Sequence, residues 1–531
     1  MRSKTFLSLF VLPLLVATAM GQSLRSRYEE GDWVSYTDFR YVTSISVGYQ
    51  DVYFGTTGGV TRYDRYLNRW DAPYTTSDGL SENWIERVAF DPATGYVWCL
   101  TRSGFVNYYQ PTEKRWHTAP AFPEGLLATE PPKVKYPDFF TEFQYTFLAE
   151  GDEAMIQDRN LRTYPLQQSV VDNWDNMWIA TWGLNVGVAD LRTQRLEMMR
   201  FGLIEPNVAA LIFDGDEMWF GGIGQLQGSQ GITRYNRKSG DWVYFEARYI
   251  DGLRSDNVTS MAADSQHVWF GTYSGLAQLK KGKRSWKTFT ILDGLSDNEV
   301  IDLALDENLL WIGTAFGLCS MDVRTGAISR IANENLATAI VYDVEVDESA
   351  IWLATNRGLF SRPKGRGEWE FFVDREGHLG GVVAEIAADS GTVWFAALPT
   401  WAADEKLFLK TQVHRLATGK PTVAGKEPLP IAFFLSMLDK RTGQWQQHFP
   451  PGTFPFSTIH DLAVNDRSVW IATDEGALKF DRQRSTWRRF TTKDGLLDNT
   501  VQTMLLDGDY IWFGTVKGAT RFYWNDPLRI D

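Results

Sequence analysis

A signature that returns about every 42 residues constrains this chain more than anything else in it. An aromatic residue, an apolar residue, Gly or Ala and then usually Thr begin at Tyr53, Trp98, Trp178, Trp219, Trp269, Trp311, Trp352, Trp394, Trp470 and Trp512. Intervals that depart clearly from this value are longer, as insertions into a fixed unit would make them. Each unit keeps one internal order. Residues 258–264 alternate apolar and polar, the signature follows at 268–272, Gly275 marks a turn, a short apolar run covers 276–279, and Trp286-Lys287-Thr288-Phe289 closes the unit. Four short strands joined by tight turns, with no sustained helical period, make one blade of a β-propeller. The fold class expected is all-β, a β-propeller of about ten four-stranded antiparallel blades.

The signature has a packing logic. Alternate residues of a strand share a face, so Trp269 and Gly271 lie on one side and Phe270 and Thr272 on the other. A blade flanked by two others must pack on both faces, and a large residue beside a small one lets stacked sheets interdigitate. The last unit ends before its fourth strand. Trp33-Val34-Ser35-Tyr36 matches Trp286-Lys287-Thr288-Phe289 and is expected to supply that strand, closing the ring and removing an open edge. A single ten-bladed ring and two smaller rings both fit the spacing, and the long interval between Trp98 and Trp178 leaves room for a degenerate extra blade.

Three insertions, at about 121–158, 223–230 and 398–431, are expected to open on one face of the propeller, the face that also carries the turn after the signature Thr. Long loops on a rigid scaffold commonly carry function. These are rich in aromatic residues, with Phe139, Phe140, Phe143, Tyr145 and Phe147 in the first and Trp401 and Phe408 in the third. The candidate ligand-binding residues are therefore those at the turns, Arg102, Trp182, Tyr273, Phe316, Asn356 and Arg357, together with Trp401.

The first 21 residues read as a secretory signal peptide. Arg2 and Lys4 precede an apolar run, and Ala19-Met20-Gly21 offers small residues for cleavage, so the propeller is expected to occupy 22–531 in a periplasmic or secreted protein. The net charge of −13 repels phosphate backbones and anionic lipid surfaces, and no stretch after the leader reaches about 18 consecutive apolar residues, so neither nucleic acid nor membrane insertion is expected. Two cysteines, Cys99 and Cys319, fall in different blades and are expected to stay unpaired. Six histidines show no metal-ligand spacing, and no nucleophile elbow or phosphate loop is present, so no cofactor, metal or catalytic residue is assigned.

Several junctions repeat a second motif before a first strand: Asp78-Gly79-Leu80-Ser81-Glu82-Asn83, Asp251-Gly252-Leu253, Asp293-Gly294-Leu295-Ser296-Asp297-Asn298 and Asp494-Gly495-Leu496-Leu497-Asp498-Asn499. With Trp-x-Gly-Thr-x-x-Gly, this resembles the two-component regulator propeller repeat. The resemblance implies a periplasmic sensor-type propeller, often responsive to glycan fragments, here without a kinase part. Taken by themselves, the Asp and Asn of the motif read first as turn formers. The leading functional reading is an exported, non-enzymatic recognition propeller of the cell envelope, binding an oligosaccharide or an envelope protein. The alternatives are a propeller-fold polysaccharide-cleaving enzyme or lyase, which needs converging carboxylates, and a structural or secretion-associated envelope protein.

Overall fold

The computed structural model describes residues 28–126, 135–137, 145–150, 153–224, 231–365, 367–372, 381–398, 434–448, 450–451, 458–527 and 529. Its strands form ten antiparallel sheets, numbered here as blades in chain order. Blade 1 spans residues 42–70, blade 2 85–119, blade 3 145–199, blade 4 208–245 and blade 5 258–289. Blade 6 spans 300–330, blade 7 341–372, blade 8 382–448, blade 9 459–490, and blade 10 combines 501–523 with the N-terminal strand Trp33–Tyr36. Blade 3 has six strands and the others have four.

The signature residues build the same corner each time. Val258, at the start of a first strand, pairs with the signature Thr272, and a bulge follows before Ser260. Val42 with Thr56 and Val501 with Thr515 repeat this register. The buried Thr272 hydroxyl donates to Gly275 O at 2.7 Å and accepts from Ser274 N at 3.1 Å, so it closes the turn from inside. Gly275 has φ +122°, and a Cβ there would lie 2.3 Å from Phe289 O in the fourth strand. Only glycine satisfies both conditions.

Blade 10 shows the same corner made by two ends of the chain. Trp33–Tyr36 pairs antiparallel with Gly518–Tyr523, placing Trp33 opposite Phe522 and Tyr36 opposite Ala519. Gly518 faces Tyr36 O at 2.3 Å from its missing Cβ, as Gly275 faces Phe289 O. The Trp33 ring stacks on Phe522 with centroids 3.9 Å apart. The N-terminal strand is thus the fourth strand of the last blade.

The ten blades divide into seven and three. First strands of blades 4 to 10 pack in succession, and that of blade 10 packs against that of blade 4. Blades 1 to 3 leave this ring between the N-terminal strand and blade 4, and stand side by side in the order 3, 1, 2. Within the ring each blade is covered on both faces. Trp269 joins the core shared by blades 5 and 6, while its neighbour Phe270 joins that of blades 4 and 5. The signature aromatics are buried in every blade except 1 and 2, where Tyr53 and Trp98 are half-buried.

A row of three leaves two outer faces, and the described part of the first insertion is spent on them. Phe122 and Leu126 pack on Trp98, Leu100 and Val106 of blade 2. The hairpin Tyr145–Glu150 and Glu153–Asp158 extends blade 3 and folds Ile156, Tyr145 and Phe147 against Met177, Ile179 and Ala189. These segments do for the row what capping repeats do for a solenoid. Phe201 ties row to ring, stacking on Trp70 at 4.7 Å and on Phe39 at 5.5 Å. Cys99 and Cys319 are buried and free. Among the described residues no helix is long and apolar enough to cross a membrane.

Candidate functional site

At one end of blades 1, 2, 6 and 7, the residue before the first strand meets the residue after the signature Thr. Thr57 N donates to Tyr41 O, Arg102 N to Trp84 O, Ala315 N to Glu299 O and Asn356 N to Ile340 O, at 2.9–3.2 Å. These backbone bonds fix two side chains per blade on a common rim. In the ring the leading positions are Asn207, Asn257, Glu299, Ile340, Gly381, Thr458 and Thr500. In blades 1 and 2 they are Tyr41 and Trp84, and blade 3 presents Trp182 from its turn, with Trp182 N held by Pro165 O at 2.8 Å.

These three aromatic side chains converge. The Tyr41 and Trp182 rings meet edge to face at 5.1 Å, and Trp84 and Trp182 lie 6.4 Å apart, tilted by 45°. The exposed Arg102 guanidinium lies 4.0 Å above the Trp84 ring, and Arg40 lies 5.7 Å from that of Tyr41. Glu82 stands beside this cluster, accepting from Ser103 N at 3.0 Å, and its carboxyl is held below the usual range by that bond and by Arg102, against the opposing effect of burial. All three rings are half-buried, so each is anchored by its base and open at one side. Aromatic faces with a cation and a carboxylate at their margin can stack on the C–H face of a sugar and hydrogen-bond its hydroxyls.

Of the residues expected from sequence, the structure brings Arg102 and Trp182 together and spreads the others around the ring. Tyr273 lies on blade 5, where burial and the nearby Glu299 push its phenol up to about 12. Phe316 is 52% exposed on blade 6. On blade 7, Asn356 Oδ1 accepts from Ile340 N at 3.0 Å, and Arg357 donates to Asn335 O at 3.0 Å and to Thr338 Oγ1, so both side chains hold their own loop. Trp401 lies outside the described residues, as do 225–230 and 399–433 of the other two insertions and the leader at 1–21. Sequence reasoning missed Tyr41 and Trp84. Aligning the residue just before each first strand would have found them, since among those junctions only these two carry an aromatic residue.

Several buried carboxylates have structural partners. Asp302, Asp343, Glu385 and Asp461 occupy one position in the first strands of blades 6 to 9, opposite Gly313, Ala354, Ala396 and Ala472. Asp302 accepts from Val344 N at 2.9 Å, Asp343 from Ile386 N at 2.6 Å and Asp461 from Met504 N at 2.6 Å. Each satisfies a backbone donor on the inner edge of the next blade. Three of the four Asp-Gly-Leu junctions resolve likewise. Asp78 accepts from Thr75 N at 2.9 Å and Asn83 Oδ1 from Thr76 N at 2.7 Å, and the same pair of bonds recurs at Asp293 with Asn298 and Asp494 with Asn499. They are capping boxes of a short turn of helix. Asp51, Asp64 and Asp71 bring one oxygen each within 4.8 Å of one another. Asp64, however, already accepts from Tyr66 N and Leu67 N, which makes it a turn residue.

No protein-family model matches the chain, and no curated protein matches it. Among solved structures it is similar to the extracellular domain of the putative one-component system BT4673 from B. thetaiotaomicron, at 14% identity and a TM-score of 0.44, covering 93% of this chain and 71% of that one. It is also similar to PorZ, a surface component of the type-IX secretion system of Porphyromonas gingivalis, at 15% identity and a TM-score of 0.44, covering 91% and 68%. A third, the extracellular domain of the putative hybrid two-component system BT3049 from B. thetaiotaomicron, shares 15% identity at a TM-score of 0.32, covering 92% and 82%. Identities this low transfer no function to this chain.

Proposed function

We propose that this chain is an exported, non-enzymatic recognition propeller of the cell envelope that captures an oligosaccharide on the rim made by Tyr41, Trp84, Trp182 and Arg102. One observation carries the reading. Blades 1 and 2 put aromatic side chains, Tyr41 and Trp84, at the leading rim position where the ring blades put Asn, Thr, Glu, Ile or Gly, blade 3 adds Trp182 from its turn, and the three rings meet. Export is supported by the basic and then apolar start of residues 1–21. An enzyme reading would draw on the buried carboxyl groups of the first strands, and Asp302, Asp343 and Asp461 there each accept a backbone N–H of the next blade, a structural use of that position.

A glycan array probed with the purified protein and with Trp84→Ala tests this. Binding of a defined set of glycans by the parent, lost in the variant while its melting temperature is kept, supports the reading. An array on which both proteins are blank, or on which both bind alike, removes it. A protein partner is the second reading, favoured by apolar side chains that stand out from blade 6 and the junction before it, Leu292 at 90% and Phe316 at 52% exposure.

A further inference from the structure

Row and ring do not fuse along their whole contact. Beyond Phe201 a hollow of about 960 Å³ lies among the outer strands of blades 1, 3 and 4. A second hollow of about 320 Å³ continues it past the blade 3 hairpin, and Tyr145 and Arg200 line both. The two form one cleft, separate from the aromatic rim.

Its charge is unlike that of the whole chain. In a protein of net charge −13, Arg159, Arg195 and Arg200 line this cleft and make no ion pair among the described residues. Arg200 touches only a ring face, 5.5 Å from the centre of Tyr244. Arg162, on the same wall, is fully engaged by Asp158 at 2.8 Å and Glu246 at 2.9 Å, and Arg40 on the floor is engaged by Asp38 at 2.7 Å. The acids of the smaller hollow are therefore already spent, and in the larger one Arg69 is paired with Asp71 at 3.5 Å, whereas Glu197 and Asp241 form no ion pair with Arg195 or Arg200 among the described residues. Exposed cations that no carboxylate answers are positioned for an external anion. Half-buried Tyr63, Trp70 and Tyr145 stand in the same walls, and flat rings interleaved with guanidinium groups fit a sugar ring that carries an acidic substituent.

We propose that the cleft between the three-blade row and the seven-blade ring binds an acidic oligosaccharide, whose carboxylate or sulfate groups are taken by Arg159, Arg195 and Arg200. Two linked hollows give room for more than one sugar unit, with Arg195 in the larger, Arg159 in the smaller and Arg200 in both. The site is independent of the rim, so either can be present without the other.

Calorimetric titration at low salt with oligogalacturonate, a sulfated dextran oligosaccharide, neutral dextran and poly-glutamate decides it. The expected result is that the carboxylated or the sulfated oligosaccharide binds, with the stronger of the two identifying the acidic group, that neutral dextran does not, and that affinity falls as salt rises. Arg159→Ala with Arg200→Ala should weaken binding at least tenfold while leaving the melting temperature in place, Arg200→Lys should restore part of it, and Trp84→Ala should leave it unchanged. Three results would overturn the proposal: neither acidic glycan binds the folded parent, the double variant binds as the parent does, or poly-glutamate binds as tightly as the glycans.

Discussion

Arg237, which follows the third strand of blade 4, pairs with Asp507 at the end of the first strand of blade 10 at 3.0 Å, although 270 residues separate them in sequence. The same pairing joins Lys281 to Asp214, Lys364 to Asp306, Lys440 to Asp347 and Arg482 to Asp389, each linking a blade to the one before it. Arg237 with Asp507 is the member of that series that closes the ring. Arg65 of blade 1 with Asp172 of blade 3, at 3.3 Å, is its counterpart in the row, and it orders those blades as 3 before 1.

The latches should differ greatly in worth. Arg237 and Asp507 are 35% and 31% exposed, so Arg237→Ala should cost about 1 kcal/mol or less. Arg65 and Asp172 are 3% and 0% exposed, and Arg65 also donates to Gly48 O and Tyr49 O. Removing its guanidinium takes the counter-charge from a buried carboxylate that keeps bonds from Trp174 N, Asn176 N and Trp178 Nε1, and leaves two backbone carbonyls without that donor, so Arg65→Ala should cost about 2–3 kcal/mol. Urea denaturation of the two variants measures the contrast; equal losses would mean that burial does not set the strength of these pairs.

Closure by the N-terminal strand rests on Trp33, which is buried between Phe522, Phe490 and Leu496. Trp33→Ala should destabilise the ring by about 3–5 kcal/mol, the range for deleting a large buried aromatic side chain. The same assay reads it, and deletion of residues 22–40 should be at least as damaging. A deletion protein with the parent's denaturation midpoint would show that the strand is dispensable.

Stability should fall as the solution becomes alkaline. Burial, and then neighbouring carboxylates, raise Asp343 well above its ordinary 3.8, Glu345 to about 7 and Asp461 to about 8. These groups hold protons more tightly folded than unfolded. Their contribution is complete below about pH 4, where both states are protonated, and is lost as pH rises through 7 and 8. Asp347 acts in the opposite sense. Burial works against ionisation there, but bonds from Lys440, Ser349 and Trp352 outweigh it and hold the group at about 2, so its contribution is lost only in acid, below about pH 4. The melting temperature should therefore be higher at pH 5 than at pH 8, and Asp461→Asn should flatten the difference while keeping an acceptor for Met504 N. A melting temperature that rises from pH 5 to pH 8 would contradict this account of the buried first-strand carboxyl groups.

Much of this architecture was legible in the residues. The signature marked blades because Trp, Gly and Thr each answer a local demand, for burial, for close approach and for closing a turn. The N-terminal strand was visible because the last unit lacked a fourth strand that Trp33 to Tyr36 resembles. The division into seven and three was not, because every unit carries the same strands whichever neighbour it packs against. Only the cation that follows a third strand and the acid it reaches report the neighbour, and that pairing needs coordinates. Tyr145 and Phe147 were expected as rim aromatics of an insertion, yet they pack on blade 3, whose outer face no further blade covers. The site was half visible. Arg102 and Trp182 stand at turns where a search would look, but Tyr41 and Trp84 lie one residue outside a strand, where most blades carry small or polar side chains.

The central claim, that the convergent rings of the three-blade row form the carbohydrate site, is tested most directly by calorimetry of the best array glycan against the parent, Trp182→Ala and Phe316→Ala. Stacking on each ring is worth about 1 kcal/mol or more, so Trp182→Ala should weaken binding by roughly tenfold, while Phe316→Ala, on the ring, should bind as the parent does. Unchanged affinity in Trp182→Ala, or a loss confined to Phe316→Ala, would place the site away from these rings and contradict the account.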